Sequence, residues 1–128
     1  MLITAPMNEH TLRADKLQER LIEFAVGIVE ISAQLPRTAH GRHISKQILR
    51  SGTATAANYG EARAAESKSD FLHKLRIVLK ELNETAVWLQ VIAKSSLMRR
   101  EKIGAIVAEN QELCRIIGAS VRTARNSR

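Results

Sequence analysis

Alternating spacings of three and four residues between seam positions run through most of this 128-residue chain and constrain its fold more than any other feature. The third segment shows the pattern best, at Phe71, Leu75, Val78, Leu82, Thr85, Leu89 and Ile92. On an α-helix this spacing places the side chains along one face. The pattern therefore predicts long helices that bury these faces against one another.

Four segments have this periodicity, and they predict helices at about residues 12–34, 38–65, 69–93 and 97–121. Leu35-Pro36 ends the first, because a residue that precedes proline is pushed out of the α region. Ser67 with Asp70 resembles a capping box at the start of the third. Ser95 or Ser96 is the expected N-cap of the fourth. Residues 1–11 are expected to be a flexible N-terminus, and residues 123–128 a frayed basic tail.

Short links between long helices favour antiparallel neighbours, so the predicted fold is an all-α, antiparallel up-down-up-down four-helix bundle. Sustained 3.5-residue periodicity predicts left-handed crossing of the helices. The run Ser51–Ala57 has no large side chain, and we interpret it as helix that allows a neighbouring backbone to approach closely. A break near Gly52, which would give two short helices, is the competing interpretation.

The sequence lacks the signatures of several other classes of protein. Cys114 is the single cysteine, which precludes an intramolecular disulfide and fits a small buried residue in a reducing compartment. No secretory signal and no run of about 18 apolar residues is present, so we expect a cytoplasmic protein. Glu-x-x-His, Gly-x-Ser-x-Gly and Walker motifs are absent, so no enzyme, cofactor or metal is expected. A surface metal shared by His40 and His43 is the weaker alternative.

The net charge of +7 is concentrated in the second and fourth segments, which indicates a surface for polyanions. Arg42, Lys46 and Arg50 follow one another at i, i+4 steps and should form one stripe. No aromatic residues are interleaved with the basic ones, so binding should be electrostatic, sensitive to salt and poorly sequence-specific. The candidate nucleic-acid-binding residues are Arg37, Arg42, Lys46, Arg50, Arg99, Arg100, Lys102, Arg115, Arg122 and Arg125.

A second charged set lies beside the apolar seams of the second and third segments. Charges near a packed seam need partners to offset desolvation. We therefore expect Glu61 and Arg63 of the second segment, together with Glu81 or Glu84 of the third, to take part in ion pairs within or between subunits. A solvated charged face is the alternative.

Three runs, residues 50–64, 67–75 and 80–89, resemble the bacterial four-helix-bundle family of 23S rRNA intervening-sequence proteins. The accessory variability proteins of diversity-generating retroelements are similar. The resemblance covers residues 17–93, and the fourth helix matches by its period alone. The family often has Asn-Ile-Ala-Glu-Gly where this chain has the five residues 58–62, Asn-Tyr-Gly-Glu-Ala, which could alter helix packing locally. The resemblance implies a homopentamer without a catalytic site, and in the retroelement relatives a basic surface that serves a reverse transcriptase and its RNA.

Two functions therefore remain open. The first is a basic oligomeric bundle that binds RNA or DNA phosphates, or a ribonucleoprotein or reverse-transcriptase partner. The alternative is a protein-interaction scaffold without direct contact to nucleic acid, and a ligand or metal bundle is a weaker third option. Oligomerisation is expected in every case, because Ile22 and Val29 widen the apolar stripe of the first helix beyond one seam.

Overall fold

The computed structural model describes residues 8–127, which form four helices joined by short links. Helix α1 is Glu9–Gln34, α2 is Ala39–Arg63, α3 is Lys68–Lys94 and α4 is Arg100–Asn126. The chain is continuous helix through Gly52, so the competing break at that residue is excluded. None of these helices has a stretch that is both long and apolar enough to span a bilayer.

Side chains cap the N-termini of three helices. Asn8 accepts a hydrogen bond from the Thr11 amide, Thr38 from the Gly41 amide and Ser67 from the Asp70 amide. The cap at Asn8 explains why α1 begins at Glu9, earlier than the sequence predicts. Helix α4 differs from the others, because its N-cap residue Arg99 makes no side-chain capping bond.

Antiparallel packing places each helix beside two others. The neighbouring pairs are α1–α2, α2–α3, α3–α4 and α1–α4, whereas the diagonal pairs do not pack within the described residues. The α1–α4 interface is the sparsest of the four. This is the predicted up-down-up-down bundle. Its dry axis is formed by the seam residues of all four helices, among them Leu21, Ile48, Leu82 and Leu113, each fully buried.

Small residues of α2 lie against α1 and α3. Gly52 faces Ile28, and a Cβ atom added at Gly52 would lie 2.7 Å from both Cγ1 and Cγ2 of that isoleucine. On the other side, the buried Thr85 hydroxyl donates a 2.8 Å hydrogen bond to the Ser51 hydroxyl. The run without large side chains is therefore where α2 approaches its two neighbours.

The link between α3 and α4 differs from the sequence prediction. Ser95 and Ser96 end α3 and do not cap α4, because the Ser96 amide donates to the Ala93 carbonyl and the Leu97 amide to the Ile92 carbonyl. These two bonds define a Schellman motif, with Ser96 at a positive φ of 57°. Helix α4 consequently begins at Arg100, after the buried Met98.

The end of α4 also differs from the expected frayed tail. The helix continues to Asn126, because Val121 and Ala124 extend its buried seam by another turn. Residues 1–7 of the expected flexible N-terminus, and Arg128, lie outside the described residues.

Candidate nucleic-acid interface

All ten candidate basic residues are exposed, but two of them are held by carboxylates. Arg50 of α2 reaches α3, where it pairs with Glu84 and lies 3.6 Å from Glu81. Arg115 pairs with Glu112 on its own helix, and hydrogen bonding from its guanidinium lowers the pKa of that carboxyl. The other eight make no salt bridge within the described residues.

The Arg50 pairing interrupts the predicted stripe on α2. Glu84 also accepts a 3.2 Å hydrogen bond from the Trp88 indole, so its carboxylate is held between two donors. The ring of His43 packs edge-on against Trp88, with 6.1 Å between the ring centroids. Arg42 and Lys46 remain exposed above this network, whereas Arg50 belongs to the contact between α2 and α3.

The structure does not bring Glu61, Arg63, Glu81 and Glu84 together as one ion-pair cluster. Glu61 pairs with Lys74 of α3 at 2.8 Å, which raises the pKa of that lysine. Arg63 instead turns towards α1 and pairs with Asp15 at 2.6 Å. Glu81 and Glu84 lie about two and three helical turns further along α3 than Lys74 does, and both face Arg50.

One ion pair has no counterpart in the sequence prediction. Arg20 of α1 binds Glu109 of α4 through two hydrogen bonds of 2.7 and 2.8 Å, which raises the pKa of the arginine. The pair bridges the sparsest interface of the bundle. Because its partners are 89 positions apart, only the helix order could have indicated it.

Six of the ten candidates meet at one end of the bundle, because the α1–α2 and α3–α4 links lie at the same end. Lys94, the last residue of α3, joins them and was missed by the sequence prediction, although its position at the third break could have indicated it. We call this surface the cationic end and define it by Arg37, Arg42, Lys46, Lys94, Arg99, Arg100 and Lys102. Arg115, Arg122 and Arg125 lie towards the other end of α4.

The two ends differ in their acidic residues. Within eight residues of the helix termini, the cationic end has seven basic and two acidic residues, Glu30 and Glu101. The same span at the opposite end also has seven basic residues but five acidic ones, Glu9, Asp15, Glu61, Glu66 and Asp70. No residue that defines the cationic end forms a salt bridge with any described residue, whereas Arg63 and Lys74 are both paired at the opposite end.

An open groove crosses the cationic end between the C-terminus of α1 and the α3–α4 link. It is lined by Gln34, Ser96, Leu97, Met98, Arg99 and Lys102. Arg99 and Lys102 are its basic lining residues, and Arg37 follows Gln34 by three residues in the neighbouring link. Polar groups and an excess of positive charge make this a surface for an anion.

Residues 8–127 contain no group of three His, Cys, Asp or Glu side chains placed to hold a metal ion. Cys114 is half-buried, and burial raises the pKa of its thiol, which reduces its thiolate fraction. Fold and surface thus define a basic four-helix-bundle protein in which, among the described residues, the excess of basic over acidic residues is larger at one end.

Comparison with known proteins names the family. Residues 15–119 match the family described as 23S rRNA-intervening sequence protein, and the chain belongs to it. The match includes most of α4, beyond the part of the chain that showed the resemblance by sequence. A crystal structure from Bacteroides thetaiotaomicron, described as a protein with unknown function from the S23 ribosomal protein family, is 36% identical. It has a TM-score of 0.79 and aligns over 85% of this chain and 97% of its own. No curated protein matches the chain.

Proposed function

We propose that this protein is a non-enzymatic, oligomeric four-helix bundle that binds the phosphate backbone of RNA or DNA. The observation that carries the proposal is that eight of the ten exposed candidate cations have no carboxylate partner within residues 8–127. An unpaired cation is free to replace a counterion on a phosphate, and release of that counterion drives association. Because the family description refers to 23S rRNA, RNA is the first ligand to test.

The binding should depend on charge and not on base sequence. Phosphate contacts position a protein on nucleic acid, whereas base contacts supply specificity. Within residues 8–127, the cationic end has no exposed Phe, Tyr or Trp ring on which a base could stack, since Trp88 is half-buried and bonded to Glu84. Duplexes of different sequence should therefore bind with similar affinity at a given salt concentration.

The test measures the affinity of the purified chain for labelled RNA and DNA duplexes of about 20 base pairs between roughly 50 and 200 mM salt. For four to six phosphate contacts, log K should fall with log salt with a slope of about −4 to −5 on DNA. An affinity that does not change over this range contradicts the proposal. So does strong preference for one base sequence at constant salt.

Self-association is the second part of the proposal. Ile22, Val26 and Val29 form an apolar stripe on the outer side of α1 and are 42, 52 and 46% exposed. Exposed Leu49 of α2 lies level with Val26 and Val29, because the Ser45–Ser32 and Gln18–Ala56 hydrogen bonds fix the register of the two helices. A contiguous apolar surface of this kind is typical of an interface. We propose that it is covered by another copy of the chain, and the family resemblance implies five copies.

The same stripe favours the alternative function, a scaffold that docks a partner protein without direct contact to nucleic acid. Nuclease treatment separates the two functions. A partner protein that stays bound after the nucleic acid is digested supports the scaffold. A partner that is lost with the nucleic acid supports phosphate binding.

A further inference from the structure

We infer that the cationic end, and not the side of the bundle, makes the phosphate contacts, so that a nucleic-acid backbone crosses the end between the two links. The inference rests on the proposed function and specifies where on the molecule it is performed. Its evidence is the placement of the charges, the nature of the surrounding surface and the width of the bundle.

Charge placement separates the end from the sides. Every salt bridge in the described part of the chain joins residues on the sides or at the opposite end, including Arg20–Glu109 and Arg50–Glu84. Their cations are already compensated, so a phosphate would have to displace a bound carboxylate. At the cationic end, Glu30 and Glu101 face seven basic residues, and none of the seven is engaged in a salt bridge with residues 8–127. This surface can accept phosphates without breaking an ion pair.

The surface chemistry favours nucleic acid over an acidic protein. The cores of protein–protein interfaces are depleted of charge and enriched in aromatic residues, whereas protein–nucleic acid interfaces are polar and strongly positive. Val29 and Val87, five and seven residues before the C-termini of α1 and α3, are the exposed large hydrophobic side chains nearest this end among the described residues. In the links, Leu35 and Met98 are buried and Leu97 is half-buried. The links therefore present no exposed apolar core for a protein partner.

The width of the end matches several phosphates of one strand. Packed helices lie 8–10 Å apart, so the end of a four-helix bundle is about 20 Å across. With a rise of about 3.4 Å per nucleotide, this distance corresponds to roughly six phosphates of one duplex strand. Arg37 and Arg42 flank this path at the α1–α2 link, and Arg99, Arg100 and Lys102 flank it at the α3–α4 link.

The test compares two variants that each lose four basic residues. The end variant is R37Q/R99Q/R100Q/K102Q, and the control is R13Q/K16Q/K68Q/R76Q, whose residues lie towards the opposite end and are not among the ten candidates. All eight side chains are exposed and none forms a salt bridge with a described residue, so both variants should fold. Circular dichroism and thermal unfolding verify this before binding is measured with the RNA and DNA duplexes.

The end variant should lose affinity, whereas the control should not. Each lost phosphate contact lowers the magnitude of the salt slope by about 0.9, so the slope should weaken by about three to four. At about 0.1 M salt this corresponds to an affinity loss on the order of 100-fold or more. The control residues lie about 20 Å or more from the cationic end, beyond the Debye length of about 10 Å, so their loss should change affinity by less than about threefold.

Three results would contradict either the inference or the proposed function, and they can be told apart. Equal losses in the two variants would show that net charge alone attracts the ligand, which overturns the inference and leaves the proposed function standing. No binding of RNA or DNA by the unmodified chain removes the proposed function itself. Displacement of labelled RNA by polyglutamate as effectively as by unlabelled RNA overturns the choice of nucleic acid and indicates an acidic protein partner.

Discussion

Gly52 is a residue at which α2 packs tightly against α1. An alanine Cβ there would lie 2.7 Å from two carbons of Ile28 and 3.0 Å from a third. Ile28 is fully buried and β-branched, so it cannot move aside easily. We predict that G52A lowers the free energy of unfolding by about 1–2 kcal/mol, because overpacking outweighs the gain of about 1 kcal/mol in helix propensity. Urea unfolding measures this change.

Two further variants identify the cause. Gly104, inside α4, has nothing within 4 Å of the position a Cβ would occupy. G104A should therefore raise stability by about 0.5–1 kcal/mol. In a double-mutant cycle, I28A should remove most of the cost of G52A, because the two positions are in contact. Additive effects of G52A and I28A would contradict a steric origin.

Ser96 occupies the one positive-φ position that the structure shows outside glycine in residues 8–127. Glycine adopts this conformation without a Cβ penalty. S96G should therefore raise the free energy of unfolding by about 0.5–1 kcal/mol. The neighbouring S95G should lower it by a similar amount, because Ser95 has a φ of −88° and its hydroxyl donates to the Val91 carbonyl. Thermal unfolding of both variants distinguishes them, and stabilisation by S95G would contradict the reasoning.

At the scale of secondary-structure elements, the apolar period predicts the four helices and their order. A serine between two helices, in contrast, does not show whether it ends the first helix or begins the second. Serine caps helix N-termini well, and this property led to the expectation that Ser95 or Ser96 begins α4. Whether a serine begins one helix or ends the previous one depends on backbone hydrogen bonds, which composition does not specify. The C-terminus of α4 was mispredicted for a similar reason. Ala124 is buried there, but alanine is equally common on exposed helix faces, so the sequence did not identify it as a seam residue.

The cap of α3 provides a test at this scale. The Ser67 hydroxyl accepts a 3.0 Å hydrogen bond from the Asp70 amide. S67A should lower the free energy of unfolding by about 1 kcal/mol, since that amide loses its acceptor. The control is S69A, because Ser69 is exposed within the first turn of α3 and alanine favours helix there. Equal effects of the two substitutions on the urea midpoint would argue against a capping role.

At the scale of the whole molecule, the sequence predicts which residues belong to the candidate site but not where on the bundle they lie. The sequence identifies ten basic residues as a surface for phosphates. It does not show that Arg50 is held by Glu84, or that Lys94 joins the residues of two separate links. Both facts depend on which helices are neighbours and on where carboxylates lie across an interface. The charge pattern alone contains neither, although the position of Lys94 at the third break, combined with the predicted helix order, could have indicated the second.

Self-association is a property of the whole molecule, and the exposed apolar stripe of α1 allows it to be tested. Ile22, Val26, Val29 and Ala33 follow spacings of four, three and four on the outer side of α1, which is a second seam without an internal partner in the described structure. We predict that V26K/V29K converts the oligomer to a monomer, because two lysines per copy would have to be desolvated in the interface. Helix content should be unchanged, since both side chains are already about half exposed. Light scattering measures the mass.

V87K is the matched control, because Val87 is 58% exposed but isolated on α3, and it should leave the oligomer intact. A native chain that is monomeric would remove the need for the seam, and dissociation by V87K alone would place the interface on α3.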